Sequence, residues 1–330
     1  MLAALLTLVI PAVGMAQSPD SLPAGLVERA VTVGPMKLPG TLTLPAGGTN
    51  LPGVVLVHGS GGHDRDETIG PNKPFRDLAW GLATRGIAVL RYDKRSLVAP
   101  FSFLGRAFTV KEEVLDDAAA GVELLRSTPG VGPSRVAVLG HSLGATLAPR
   151  VARAAPGTAG IIVMAGATAP LTDLIIRQLR YLAAHAGSDS VQARRQQTGM
   201  EQLVARIQAL TPADSMSTAP LFGAPASYWL DLRRVDPVAV ADSLNLPMLV
   251  LHGARDYQVT TGEASGWKKE LGGKANVTFH EYPGLNHLFI AGSGPSTPAE
   301  YAVPGHVAEQ VIDDIARWLK ALSAPSAPRP

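Results

Sequence analysis

Six short apolar runs recur along the chain with little polar alternation: Val54–His58, Ile87–Tyr92, Arg135–Leu139, Gly160–Met164, Pro247–His252 and Asn276–Tyr282. A strand wetted on one face alternates polar and apolar residues. Most of these runs do not, and so they predict a sheet covered on both sides. Between them lie amphipathic stretches of helix length: Phe75–Arg85, Val110–Ser127, Leu143–Ala154, Thr261–Leu271 and Pro304–Leu322. Strand alternating with helix predicts an α/β fold built on a doubly wound, mostly parallel sheet. Ahead of the first run, Val31–Val33 and Thr41–Leu44 are β-rich and separated by Gly34, Pro35, Pro39 and Gly40, which predicts a hairpin within an N-terminal extension, residues 17–50.

One interval breaks the rhythm. Residues 171–245 hold no strand-like run; Asp173–Ala186 and Val191–Leu210 read as helices, and Thr211–Ser227 is rich in Pro, Ser, Ala and Gly. A single crossover rarely needs this length, so the interval is expected to be a helical lid inserted over the sheet's C-terminal edge, where ligands sit in open α/β sheets. It divides the core into residues 51–170 and 246–322, followed by an unstructured Pro/Ser/Ala tail, residues 323–330.

Composition narrows the class. Of 330 residues, 46% are hydrophobic and 17% charged, which excludes a disordered chain, collagen and a polytopic membrane protein. The net charge is only +2 and no basic run is present, so nucleic acid is not an expected partner. The chain has no cysteine, which removes disulfides, thiolate metal sites and cysteine nucleophiles together. Residues 1–16 are apolar and uncharged, too short to span a bilayer, and end in small residues; they read as a signal peptide cut after Ala16, with an exported, periplasmic or secreted product.

Gly140-His141-Ser142-Leu143-Gly144 is a G-x-S-x-G string lying between a strand run and a helix run. That strand–turn–helix setting is what a nucleophile elbow requires: the turn exposes the serine hydroxyl, and the glycines spare a Cβ collision with strand and helix. A serine hydroxyl needs a base to take its proton. Of the eight histidines, His287 stands in the Gly/Pro loop Tyr282–His287 after the last strand, where a late loop can lower an imidazole onto Ser142. The imidazole needs a carboxylate, and Asp256, just after the strand Pro247–His252, completes the order Ser142, Asp256, His287. Asp173 is the rival acid, although it begins a helix. For the oxyanion, donors are the backbone N–H of Leu143 and one from His58-Gly59-Ser60-Gly61-Gly62: Ser60 first, Gly61 second. That glycine loop lacks the Lys and Ser/Thr of a phosphate loop. Asp64-Arg65-Asp66-Glu67 is expected to form ion pairs holding the loop against Arg91–Arg95. His141, Tyr228, Trp229 and Tyr257 are candidates for the substrate pocket.

Together, HGSGGHDRDETIGPNKPFRDLAWGLATRGIAVLRYDKR, GHSLG, YWLDLRRVDPVAVA and HGARDYQVT resemble the α/β-hydrolases, in particular a bacterial serine esterase branch close to the dienelactone-hydrolase-like and acyl-thioesterase-like groups; the likeness runs from Leu51 to Leu322. The resemblance implies the α/β-hydrolase fold, a catalytic triad of Ser142, Asp256 and His287, a lid over residues 171–245, and hydrolysis of a small-molecule carboxylic ester with short to medium acyl chains through an acyl-enzyme. This chemistry calls for no metal and no organic cofactor. Rival readings are a peptidase or amidase, an acyl-thioesterase, an interfacial lipase, and a non-catalytic ligand-binding protein on the same fold. Oligomeric state is not legible in the residues.

Overall fold

The computed structural model describes residues 21–185, 191–234 and 236–322; the expected signal peptide (1–16) and tail (323–330) lie outside the described residues. Strands β1 (Leu26–Val33), β2 (Leu38–Pro45), β3 (Leu51–Val57), β4 (Ala88–Tyr92), β5 (Val131–His141), β6 (Ile161–Met164), β7 (Met248–Gly253) and β8 (Val277–Tyr282) form one sheet, ordered β1-β2-β4-β3-β5-β6-β7-β8. The pairs β1/β2 and β2/β4 are antiparallel, and every pairing from β4 through β3 to β8 is parallel. The hairpin expected as an extension is therefore the edge of the main sheet: Leu42 of β2 lies opposite Leu90 of β4 and is itself buried.

The helices explain why the strands lack alternation. Helix α1 (Pro74–Thr84) and the last helix, α10 (Glu309–Ala321), pack Phe75, Leu78, Ile315 and Leu319 against Val54 and Leu56 of β3. On the opposite face, α3 (Asp116–Arg126), α4 (Leu143–Ala154) and α9 (Thr261–Leu271) pack Val122, Leu147 and Trp267 into the layer that holds Val55 and Val57. Successive residues of one strand thus bury into opposite layers. After β4 comes a short helix, α2 (Arg95–Val98). The helix expected over 110–127 runs unbroken from Val110 to Arg126, but Lys111–Leu115 is a π-helical turn ahead of α3, and it carries Glu113 into a buried pair with Lys94.

The interval between β6 and β7 is helical. Helices α5 (Leu171–His185) and α6 (Val191–Gln208) occur close to where periodicity placed them, and α7 (Ala226–Arg233) and α8 (Pro237–Leu244) follow the Pro/Ser-rich stretch. Each of the last two has a local cause. The N-terminal turn of α8 is built by Asp236, whose carboxylate accepts from the Ala239 N–H, and by Pro237, whose missing N–H costs nothing there. For α7 the cause is burial of Tyr228, Trp229 and Leu232.

Candidate functional site

Ser142 sits between β5 and α4 at φ +55° and ψ −119°, a conformation that non-glycine residues avoid and that nucleophile elbows share. The turn is held by the Ser142 N–H donating to Met164 O of β6, 3.0 Å, and by Ser142 O accepting from Ala145 and Thr146. The flanking glycines are required by backbone crowding. A Cβ on Gly140 would lie 2.1 Å from Gly144 O, and one on Gly144 would lie 2.2 Å from Val57 O. Neither obstacle is a side chain that can swing away. Gly144→Ala is therefore expected to destabilise the fold by about 3 kcal/mol or more, read as a lower midpoint in urea denaturation.

Loops at the carboxyl ends of four parallel strands converge on this turn. From the loop after β7, Asp256 directs Oδ1 onto the N–H groups of Gln258 (2.8 Å) and Val259 (3.0 Å), which leaves Oδ2 to accept from His287 Nδ1 at 2.6 Å. A carboxylate can only accept here, so the imidazole carries its proton on Nδ1 and turns the Nε2 lone pair outward. His287, from the loop after β8, and Ser142 line the same cavity. Asp256 and His287 are both nearly inaccessible to solvent. Asp173, the rival acid, lies in the first turn of α5 and accepts from Gln208 instead.

The loop after β3 forms the facing wall. Gly59 is gripped at both ends: its N–H donates to Glu67 Oε1 at 2.7 Å, and its carbonyl accepts from Lys94 Nζ at 2.8 Å. A Cβ placed on Gly59 would come within 3.2 Å of Ser142 Cβ, so loop and elbow are in contact and glycine is needed. Ser60 lines the cavity with Ser142 and its carbonyl accepts from His63 Nε2, whereas Gly61 lines a smaller cavity on the other side of the loop.

Glu67 departs from the expected role. Its neighbours do form the anticipated ion pairs, Arg65 with Asp93 at 2.7 Å and Asp66 with Arg91. Glu67 itself, 1% exposed and at φ +50°, turns inward and pairs Oε2 with His141 Nδ1 at 2.9 Å. His141 Nε2 in turn donates to the backbone oxygen of His287, 3.0 Å. Both ring nitrogens of His141 face acceptors, which favours the imidazolium. Burial alone would lower the His141 pKa, but the Glu67 charge raises it; burial alone would raise that of Glu67, but the imidazolium brings it down to about 2. His58 is the contrast: it is pushed down to about 3 by burial and stays neutral, its Nε2–H donating to the backbone oxygen of Asp64 at 3.0 Å.

The cavity has a volume of about 320 Å³. Its apolar wall comes from Leu171, Leu174 and Ile175 of α5 together with Phe222, Trp229, Leu232 and Val259. Of the pocket candidates, His141, Trp229 and Tyr257 line it. Tyr228 does not: its ring is buried beneath the loop, its hydroxyl 3.4 Å from Glu113, because successive residues of the α7 helix point about 100° apart and Trp229 takes the cavity side. Glu67 and Lys94 were not singled out as site residues from sequence. Their signal, two charged residues close in sequence to the glycine loop and β4, is shared by ordinary surface ion pairs.

Comparison with known proteins bears on the family and the fold. The family described as serine aminopeptidase, S33, matches residues 52–292. Esterase EstD of Thermotoga maritima is 43% identical over 297 residues, covering 90% of this chain and 68% of the relative. Among solved structures, the Pyrococcus furiosus esterase Pf2001 superposes with a TM-score of 0.56 at 16% identity, covering 94% of this chain and 96% of that one. A 2,6-dihydroxy-pseudo-oxynicotine hydrolase does so with a TM-score of 0.54 at 17% identity, covering 92% and 72%. At such identities these two likenesses speak to the fold.

Proposed function

This chain belongs to the serine aminopeptidase, S33, family of α/β-hydrolases, and on that footing we propose that it hydrolyses carboxylic esters through an acyl-enzyme on Ser142. His287 Nε2 takes the Ser142 proton as Oγ attacks the ester carbonyl, and Asp256 holds the imidazole in the needed tautomer and offsets the charge it gains. The N–H groups of Ser60 and Leu143 receive the oxyanion. Protonated His287 gives its proton to the leaving alcohol, and water repeats the sequence on the acyl-enzyme to release the acid. The helical interval 171–245 serves as a lid that supplies the apolar wall for the acyl chain.

One observation favours esters over peptides with a free amino terminus. Among the described residues lining the cavity, Glu67 is the one acidic side chain, and its two oxygens are committed to Gly59 and His141. An α-ammonium group finds no free carboxylate there, while an apolar acyl chain finds a matching wall. The test is a p-nitrophenyl ester series from acetate to palmitate beside aminoacyl p-nitroanilides. Turnover is expected on the short to medium esters, with a fall of tenfold or more at palmitate. Anilide turnover rivalling that of the esters would overturn the ester reading.

A further inference from the structure

A trans peptide unit is planar, and its C=O and N–H point in opposite directions. The Gly59 carbonyl and the Ser60 N–H belong to one such unit. Lys94 Nζ holds that carbonyl at 2.8 Å from one side and is itself 97% buried, anchored to Glu113 Oε1 at 2.8 Å. Fixing the carbonyl toward Lys94 fixes the Ser60 N–H away from it. The preceding N–H, that of Gly59, is held by Glu67, whose other oxygen grips His141 and, through it, the backbone of His287.

We propose that Lys94 and Glu67 are positioning residues for the oxyanion peptide: they lock the plane of the Gly59–Ser60 unit so that its N–H faces the carbonyl attacked by Ser142, and they tie that plane to the loop bearing His287. The inference rests on the ester-hydrolase reading above. Stability alone gives little reason for the arrangement. Buried ion pairs contribute little net stability compared with apolar residues of similar volume, yet here two are buried directly behind the glycine loop. Neither Lys94 nor Glu113 touches the apolar wall where the acyl chain lies. Their loss should therefore spare substrate binding and weaken transition-state binding.

The experiment measures kcat and KM on p-nitrophenyl butyrate, together with inhibition by an alkyl trifluoromethyl ketone, whose adduct with a serine carries an oxyanion. Lys94→Met is combined with Glu113→Gln so that no charge is left buried alone. Glu67→Ala removes the second grip, and Glu67→Gln keeps an oxygen for Gly59 and an N–H for neutral His141. Lys94→Met/Glu113→Gln and Glu67→Ala are expected to lower kcat about 10²-fold with KM within threefold, and to weaken the ketone in parallel. Glu67→Gln is expected to recover at least tenfold of the loss in Glu67→Ala. Folded variants with wild-type kcat, or a kcat loss without loss of ketone affinity, overturn the proposal. Should Glu67→Ala not fold, Glu67→Asp stands in: one methylene shorter, it cannot reach both partners, and activity equal to that of Glu67→Gln would refute the clamp. Failure of the underlying reading looks different, since then wild-type turnover would survive Ser142→Ala.

Discussion

Ser142→Ala is expected to lower ester turnover about 10⁴- to 10⁶-fold while leaving the fold in place. The size follows from what is removed. The hydroxyl is the one group that can form the acyl-enzyme, and the backbone donors, the cavity wall and His287 can only assist a direct attack by water, which accounts for residual activity. Stability is expected to stay within about 1 kcal/mol of wild type, because the contacts that hold the elbow are made by the Ser142 backbone and no hydrogen bond depends on Oγ among the described residues. The backbone strain at φ +55° is the same for alanine as for serine. Initial rates on p-nitrophenyl butyrate and a urea melt of the same preparation check both halves. A folded variant with near wild-type turnover would remove Ser142 as nucleophile.

Much of this architecture is legible in the residues because it follows from local patterns. In a run such as Val54–His58, apolar at every position but the last, the lack of alternation points to a strand covered on both faces, and α1 and α10 on one side and α3, α4 and α9 on the other cover it. The turn at Ser142 is legible because its glycines answer a steric demand that lies within a few residues. What is not legible depends on partners far along the chain. Asp66 and Glu67 are neighbours with similar side chains, yet Asp66 pairs with Arg91 of β4 while Glu67 turns in at positive φ to meet Gly59 and His141. No periodicity distinguishes them. Tyr228 and Trp229 are adjacent aromatics, and only the packing of α7 decides that Trp229 faces the cavity and Tyr228 faces Glu113. Likewise α7 and α8 follow a stretch whose Pro and Ser content reads as irregular, and burial of Tyr228, Trp229 and Leu232 overrides that composition in α7.

Asp256→Asn tests the acid with a substitution that changes charge and donor pattern but barely changes shape. An asparagine in this position can keep Oδ1 on the N–H groups of Gln258 and Val259, at 2.8 and 3.0 Å in the native protein, and that choice places its amide N–H₂ where Oδ2 now meets His287 Nδ1. Two donors cannot face one another. The imidazole must therefore give up its Nδ1 proton and carry it on Nε2, the nitrogen that has to receive the proton of Ser142. The base is then absent although every atom lies close to its native place, and the positive charge that develops on the ring loses its counter-charge. Both effects act on the chemical step, so kcat is expected to fall about 10⁴-fold with KM nearly unchanged. Stability should fall much less, since the loop after β7 keeps its two backbone hydrogen bonds. Steady-state kinetics on p-nitrophenyl butyrate decide the matter. Activity within a few-fold of wild type would show that another carboxylate orients the base, and Asp173 would have to leave Gln208 and the first turn of α5 to do so.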